Sequence, residues 1–187
     1  MMMETILQYD VTALLAINGL HASWADTLFW FVSNRLTWIP LYLVMLGWLF
    51  ANAKKNKYFS LVVILVLLVA TTGATDWLCH WLKGAIARPR PTHTVLLAQL
   101  HTINGYLGGK FGMPSSHAAD TMALAMLFGL FTRSKGWAVV LTVYVLLNCY
   151  SRLYLGVHYP TDILAGLAIG GILAFVVYRL TPKSVRL

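Results

Sequence analysis

The chain has 187 residues, of which 59% are apolar and 11% charged, less than half the roughly 25% charge of an ordinary soluble domain. Its net charge is +8, but the cations lie in short scattered groups. They form no continuous stripe, which argues against a nucleic-acid partner. Seven Trp, nine Tyr and eight Phe fit aromatic belts at two interfaces, so the expectation is one all-α integral membrane domain spanning residues 1–187.

At the N-terminus, residues 1–8 lack a basic stretch leading into an apolar core and a cleavage site. No cleavable signal peptide is expected, and the first membrane segment would direct insertion. From Thr5 to Leu20, apolar residues (Ile6, Leu7, Val11, Leu14, Leu15, Ile17) recur near helical spacing among Glu4, Gln8, Asp10 and Asn18. This pattern predicts an amphipathic helix within residues 1–25 that lies in the interface rather than spanning it. Membrane spans of about 17 to 25 residues are then sought downstream. Five are predicted, at 29–50, 58–82, 116–132, 137–151 and 163–180. Asn34 and Arg35 interrupt the first, and Arg35 is a candidate partner for Asp76 in the second. With the N-terminal helix, the bundle has five to six transmembrane helices.

The short loops set the orientation. Lys54, Lys55 and Lys57, then Arg133 and Lys135, then Arg179, Lys183 and Arg186 share one side by parity, which the positive-inside rule makes cytoplasmic. The remaining polar clusters fall on the opposite face. Lys83 ends the second span, Ser115, Ser116 and His117 open the third, Arg152 ends the fourth, and His158 and Asp162 open the fifth. The longest loop, residues 84–113, lies on that extracytoplasmic side, and its middle, Val95 to Ile103, is a candidate short helix roofing the site. Cys79 and Cys149 sit in apolar runs with no CxxC pattern, which marks them as buried thiols.

The convergent clusters carry the chemistry. His158 and Asp162 are four residues apart at a helix start and can face the same way, so the carboxylate can hold one imidazole nitrogen and leave the other as a nucleophile. A histidine paired with a capping aspartate would look the same in isolation. His117 follows Pro114-Ser115-Ser116, which reads as a helix N-terminus, where free N–H groups favour anions and a histidine can serve as general acid. Asp120, one turn on, is a candidate to orient His117 or to contact substrate. Lys83, Arg90 and Arg152 would neutralise a phosphoryl group. Arg88 and Lys110 are further cations of the outer face, suited to substrate phosphates or headgroups.

Together Lys83…Arg90-Pro91, Pro114-Ser115-Ser116-His117 and Ser151-Arg152…His158…Asp162 resemble the three-part signature of the type-2 phosphatidic acid phosphatase superfamily of membrane lipid phosphatases. The middle element is commonly Pro-Ser-Gly-His, and serine at position 116 is a familiar variant. The resemblance implies His158 as nucleophile, Asp162 as its partner and His117 as acid. It also implies Lys83, Arg90, Ser115, Ser116 and Arg152 as phosphate ligands, with no metal and no cofactor. The implied substrate is a phosphorylated membrane lipid reached from the bilayer, with undecaprenyl diphosphate placed first. Lipid A, phosphatidylglycerophosphate and phosphatidic acid are the alternatives. The implied location is the inner membrane, with the site outside it; oligomeric state is not addressed.

Other readings fit less well. Soluble vanadium-dependent haloperoxidases share the motif, but five lipid-length spans argue against them. A metal site from His80, His93, His101 and His117 lacks ligand spacing. A transporter or anionic-lipid-binding protein would place polar residues deep in several spans, whereas here they gather at one face.

Overall fold

The computed structural model describes residues 2–52 and 58–185. Lys54, Lys55, Lys57 and Arg186, which entered the orientation argument, lie outside them. The helices are α1 (Met2–Asn18), α2 (Ser23–Ser33), α3 (Ile39–Asn52), α4 (Tyr58–Ile86), α5 (Ser116–Thr132), α6 (Lys135–Tyr154) and α7 (Pro160–Leu180). No strand forms among the described residues, only an antiparallel bridge between Pro89 and Phe111. Among the described residues three helices, α4, α6 and α7, are long and apolar enough to cross a membrane.

The expected span over residues 29–50 is broken, and the reason is local. Asn34 leaves helical geometry and its side chain accepts from Leu36 N, which starts a 3-10 turn at Arg35–Trp38. Breaking a helix in an apolar setting orphans its last carbonyls. Here Thr37 Oγ1 donates to Phe31 O at 2.6 Å and Trp38 Nε1 donates to Val32 O at 2.9 Å, so α2 ends satisfied and α3 leaves as a separate helix. In α1, Asp10, Leu14 and Asn18 are buried at four-residue intervals, while Ile6, Leu7 and Tyr9 are exposed.

Helix α5 is the innermost element, with Ala118, Ala119, Ala123, Leu127 and Phe128 fully buried. It is 17 residues long, about 25 Å at 1.5 Å per residue, and α7 packs along it. Two glycines of α7 permit the approach. A Cβ on Gly166 would come 2.4 Å from Ser115 O, and one on Gly170 2.1 Å from Ala119 O. Small residues of this kind let backbones close up where lipid offers no hydrophobic drive. The same pairing brings Ser115 N to Asp162 O at 2.9 Å, so the starts of α5 and α7 are bonded directly.

The long loop folds back over these two helix starts. Arg90 N bonds Lys110 O and Gly112 N bonds Arg88 O, closing the loop's ends together. Its middle is a five-residue 3-10 turn, Val95–Gln99, shorter than the predicted helix. Asn18 clips the loop down, donating to His101 O (3.0 Å) and Tyr154 O (2.7 Å) and accepting from His101 N (2.8 Å).

Valine at Gly170 should force α5 and α7 apart. The expected loss is about 3 kcal/mol or more, at or above the usual overpacking range, read as a lowered Tm in detergent with phosphate release abolished. Gly47→Ala, where nothing lies within 4 Å, should leave both unchanged.

Candidate active site

Pro160 occupies the first turn of α7, where its missing N–H costs nothing. The same turn supplies Asp162, which is fully buried. Asp162 Oδ2 accepts from Tyr159 N at 3.0 Å and stands 3.4 Å from His158 Nδ1. The spacing read from the sequence therefore places carboxylate and imidazole side by side. His158 lies between the spans and is 1% exposed. Burial first, then the nearby Arg90, Arg152 and Lys83, hold it well below the usual histidine range, with a hydrogen bond to the Gly112 backbone acting the other way. The ring is thus neutral at physiological pH, as a nucleophile requires.

The cations converge on it from three elements. Lys83, at the end of α4, donates to Ser116 Oγ at 2.5 Å. Arg90 is buried in the loop and its Nε donates to Phe111 O at 3.2 Å. Gly108 lets it lie there: at φ +68°, a Cβ would sit 2.6 Å from Arg90 Nη1. Gly112 serves Asp162 likewise, since its Cβ would come 2.8 Å from Oδ2. Arg152, 2% exposed on α6, donates through Nη1 to Ser33 Oγ and through Nη2 to Tyr106 Oη at 3.3 Å.

Arg90 Nη1, Arg152 Nε and Ser115 Oγ are buried without a hydrogen-bond partner. Each such group costs about 1–3 kcal/mol. Three around one histidine make a donor set matched to an anion's oxygens.

Other residues singled out from the sequence take up different posts. Arg88 spends its terminal nitrogens inside the protein, on Asp162 Oδ1 (2.9 Å), Thr161 Oγ1 (2.6 Å) and Asp10 Oδ2 (2.7 Å). Asp120 Oδ2 accepts from Arg35 at 2.9 Å, and the same guanidinium reaches Asp76 at 3.4 Å. The expected Arg35–Asp76 pair is thus a three-member cluster. Lys110 is exposed, its ammonium 5.4 Å from the Phe111 ring. Ser33, Tyr106, Asp10 and Thr161 were not singled out. Of these, Asp10 had entered only as one of the polar residues of the N-terminal helix.

His117 separates two cavities. On one side is a polar pocket of about 180 Å³ lined by Trp30, Ser33, Asn34, Tyr106 and Arg152. On the other is a groove of about 620 Å³ between α3, α4, α5 and α6, walled by residues such as Leu49, Leu65, Leu68, Leu124 and Phe128, with Arg35, Asp76 and Asp120 beside His117. Among the described residues no three His, Cys, Asp or Glu side chains converge as metal ligands would.

Comparison with known proteins agrees with this arrangement. A lipid A 4'-phosphatase of Bacteroides thetaiotaomicron is 30% identical over 97% of this chain and 83% of its own length. An undecaprenyl-diphosphatase of Bacillus subtilis is 28% identical over 88% of this chain and 80% of its own. The fold matches the crystal structure of a transmembrane PAP2-type phosphatidylglycerolphosphate phosphatase from Bacillus subtilis, with a TM-score of 0.65 at 20% identity, covering 97% of this chain and 96% of that one. The family model for the PAP2 superfamily matches residues 61–186, which include all three polar clusters, and the chain belongs to that superfamily.

Proposed function

We propose that this integral membrane protein is a lipid phosphatase working through a phosphohistidine on His158. The observation that carries the reading is the position of His117 between a polar pocket and an apolar groove. A phosphorylated lipid needs that pair of environments on either side of its scissile bond, with hydrocarbon in one and phosphate at the other.

In the first step His158 Nε2 attacks phosphorus and the bond to the lipid oxygen breaks. Asp162 holds the Nδ1 proton and stabilises the charge arriving on the ring. His117 gives its proton to the departing oxygen. Arg90, Arg152, Lys83, Ser115 and Ser116 hold the nonbridging oxygens as charge builds on them. In the second step His117 takes a proton from water, the water oxygen attacks phosphorus, and the N–P bond breaks. Inorganic phosphate leaves and both histidines return to their starting state.

The groove mouth bears on the headgroup. Arg35 faces two carboxylates there, Asp76 and Asp120, which occupy its guanidinium. Asp120 Oδ1 is buried without a donor. Arg35 is thereby engaged rather than free to hold a second phosphate, whereas sugar hydroxyl or amide groups would supply the donor that Asp120 Oδ1 lacks. This favours a phosphate on a glycolipid of the lipid A class, the substrate named for the relative in Bacteroides thetaiotaomicron. Undecaprenyl diphosphate, placed first on the sequence alone, is the second reading. It is favoured by the relative in Bacillus subtilis.

Phosphate release by the purified protein should be measured with chelator present, against lipid A, undecaprenyl diphosphate, phosphatidylglycerophosphate and phosphatidic acid. The expected result is highest kcat/KM on lipid A, with His158→Ala inactive but folded. Preference for the diphosphate would reverse the headgroup assignment, and normal turnover by His158→Ala would remove the nucleophile. A second test concerns Arg152. Lysine cannot span Ser33 and Tyr106 while offering a third donor. Arg152→Lys should weaken orthovanadate inhibition by about tenfold or more, the value of one charge-assisted hydrogen bond; an unchanged inhibition constant would contradict its place in the cradle.

A further inference from the structure

Helix α1 carries a buried carboxylate that the mechanism above does not use. Asp10 is 2% exposed, although its neighbour Tyr9 is 71% exposed. Burying a carboxylate in a membrane-embedded fold is costly unless it is paired and hydrogen-bonded. Both of its oxygens are engaged. Oδ1 accepts from Thr161 N at 2.9 Å, and Oδ2 accepts from Arg88 Nη2 at 2.7 Å and from Thr161 Oγ1. Arg88 Nη1 in turn bonds Asp162 Oδ1 at 2.9 Å, and its guanidinium lies 4.2 Å from the centre of the Tyr159 ring. One guanidinium is therefore shared by two carboxylates, at the residues that flank His158.

We propose that Asp10 is a positioning residue for the nucleophile, acting through Arg88 to keep Asp162 an effective partner of His158. This rests on the reading of His158 as the phosphoryl acceptor. The argument is one of charge. His158 is surrounded by Lys83, Arg90 and Arg152 and by the His117 imidazole, and Asp162 is the carboxylate in contact with it. Attack on phosphorus places positive charge on the ring, which the three cations oppose. A guanidinium bonded to Asp162 alone would cancel the one charge that favours it. Divided between Asp10 and Asp162, Arg88 orients the Asp162 carboxylate while the three-group set keeps a surplus of one negative charge. Asp10 also fixes the first turn of α7 through the Thr161 N–H and hydroxyl, so the charge and the geometry of Asp162 have the same support.

Asparagine at position 10 keeps the shape and one acceptor oxygen while removing the charge. The full-length Asp10→Asn protein should be compared with wild type and His158→Ala in detergent for Tm, kcat, KM and inhibition by orthovanadate and by inorganic phosphate. Vanadate reads the nucleophile, because it mimics the five-coordinate phosphoryl group bonded to the ring nitrogen. Inorganic phosphate reads the cation cradle alone. The proposal expects kcat to fall about tenfold, the factor of one pKa unit, with KM within about twofold by the same scale. Vanadate inhibition should weaken in parallel and phosphate inhibition should stay unchanged.

Equal weakening of both inhibitors, a rise in KM alone, or wild-type behaviour would each overturn the proposal. The double variant Arg88→Gln/Asp10→Asn leaves no unpaired cation and serves if the single variant does not fold. It should match Arg88→Gln in kcat, because Asp10 then has nothing to balance; a further loss would overturn it. Wild type without phosphate release on any lipid would overturn the phosphatase reading and this one with it. Release by wild type with an indifferent Asp10→Asn would overturn this one alone.

Discussion

Three cations are gathered around one neutral histidine in a fold that otherwise faces lipid, and that concentration of like charge governs the rest. Lys83, Arg90 and Arg152 come from α4, the long loop and α6, and bringing them together is unfavourable until an anion arrives between them. Part of their hydrogen-bonding capacity is absorbed by the protein. Arg152 is held by Ser33 and Tyr106, Arg90 by Phe111 O, and Lys83 by Ser116. What remains unspent among the described residues, Arg90 Nη1 and Arg152 Nε together with Ser115 Oγ, is the capacity that the proposed phosphoryl ligand would take up. A site preorganised in this way stabilises charge that develops in the transition state without reorganising.

Holding such a cluster requires a rigid frame, which explains the tight contacts around it. The near touch of α7 on α5 at Gly166 and Gly170 sets the histidine-bearing ends in register. Gly108 and Gly112 bring the loop backbone against Arg90 and Asp162, so the roof is part of the site wall rather than a cover laid over it. Asn18 and Asp10 tie α1 to the same assembly. The groove is lined by α3, which starts beyond the break at Asn34, and has apolar walls with Arg35, Asp76 and Asp120 beside His117. The helix break therefore has a consequence for access: it opens the space in which a lipid chain would lie.

The constellation was legible where it depends on local spacing. His158 and Asp162 sit four residues apart, and Ser115 precedes a helix start; both relations hold within one turn and need no tertiary information. The placement of the four helix ends on one face followed from alternating span polarity. Long-range pairings were not legible. Arg88 looked like a free outer cation because nothing near it in the chain announces Asp10, and Ser33 and Tyr106 reach Arg152 from distant elements. The break between α2 and α3 was hidden for another reason. Apolar residues lie on both sides of Asn34 and Arg35 within residues 29–50, and only the side-chain bonds of Asn34, Thr37 and Trp38 make stopping there affordable.

The central claim is a covalent bond between phosphorus and His158, and it can be observed directly. A ³²P-labelled lipid substrate should be mixed with the wild-type protein, and the reaction quenched in alkali within the first turnovers. The account predicts a protein-bound label that survives alkali, is released by mild acid, and maps to the peptide containing His158. Label on another residue, or steady phosphate release by wild type with no protein-bound label under any quench, would contradict it.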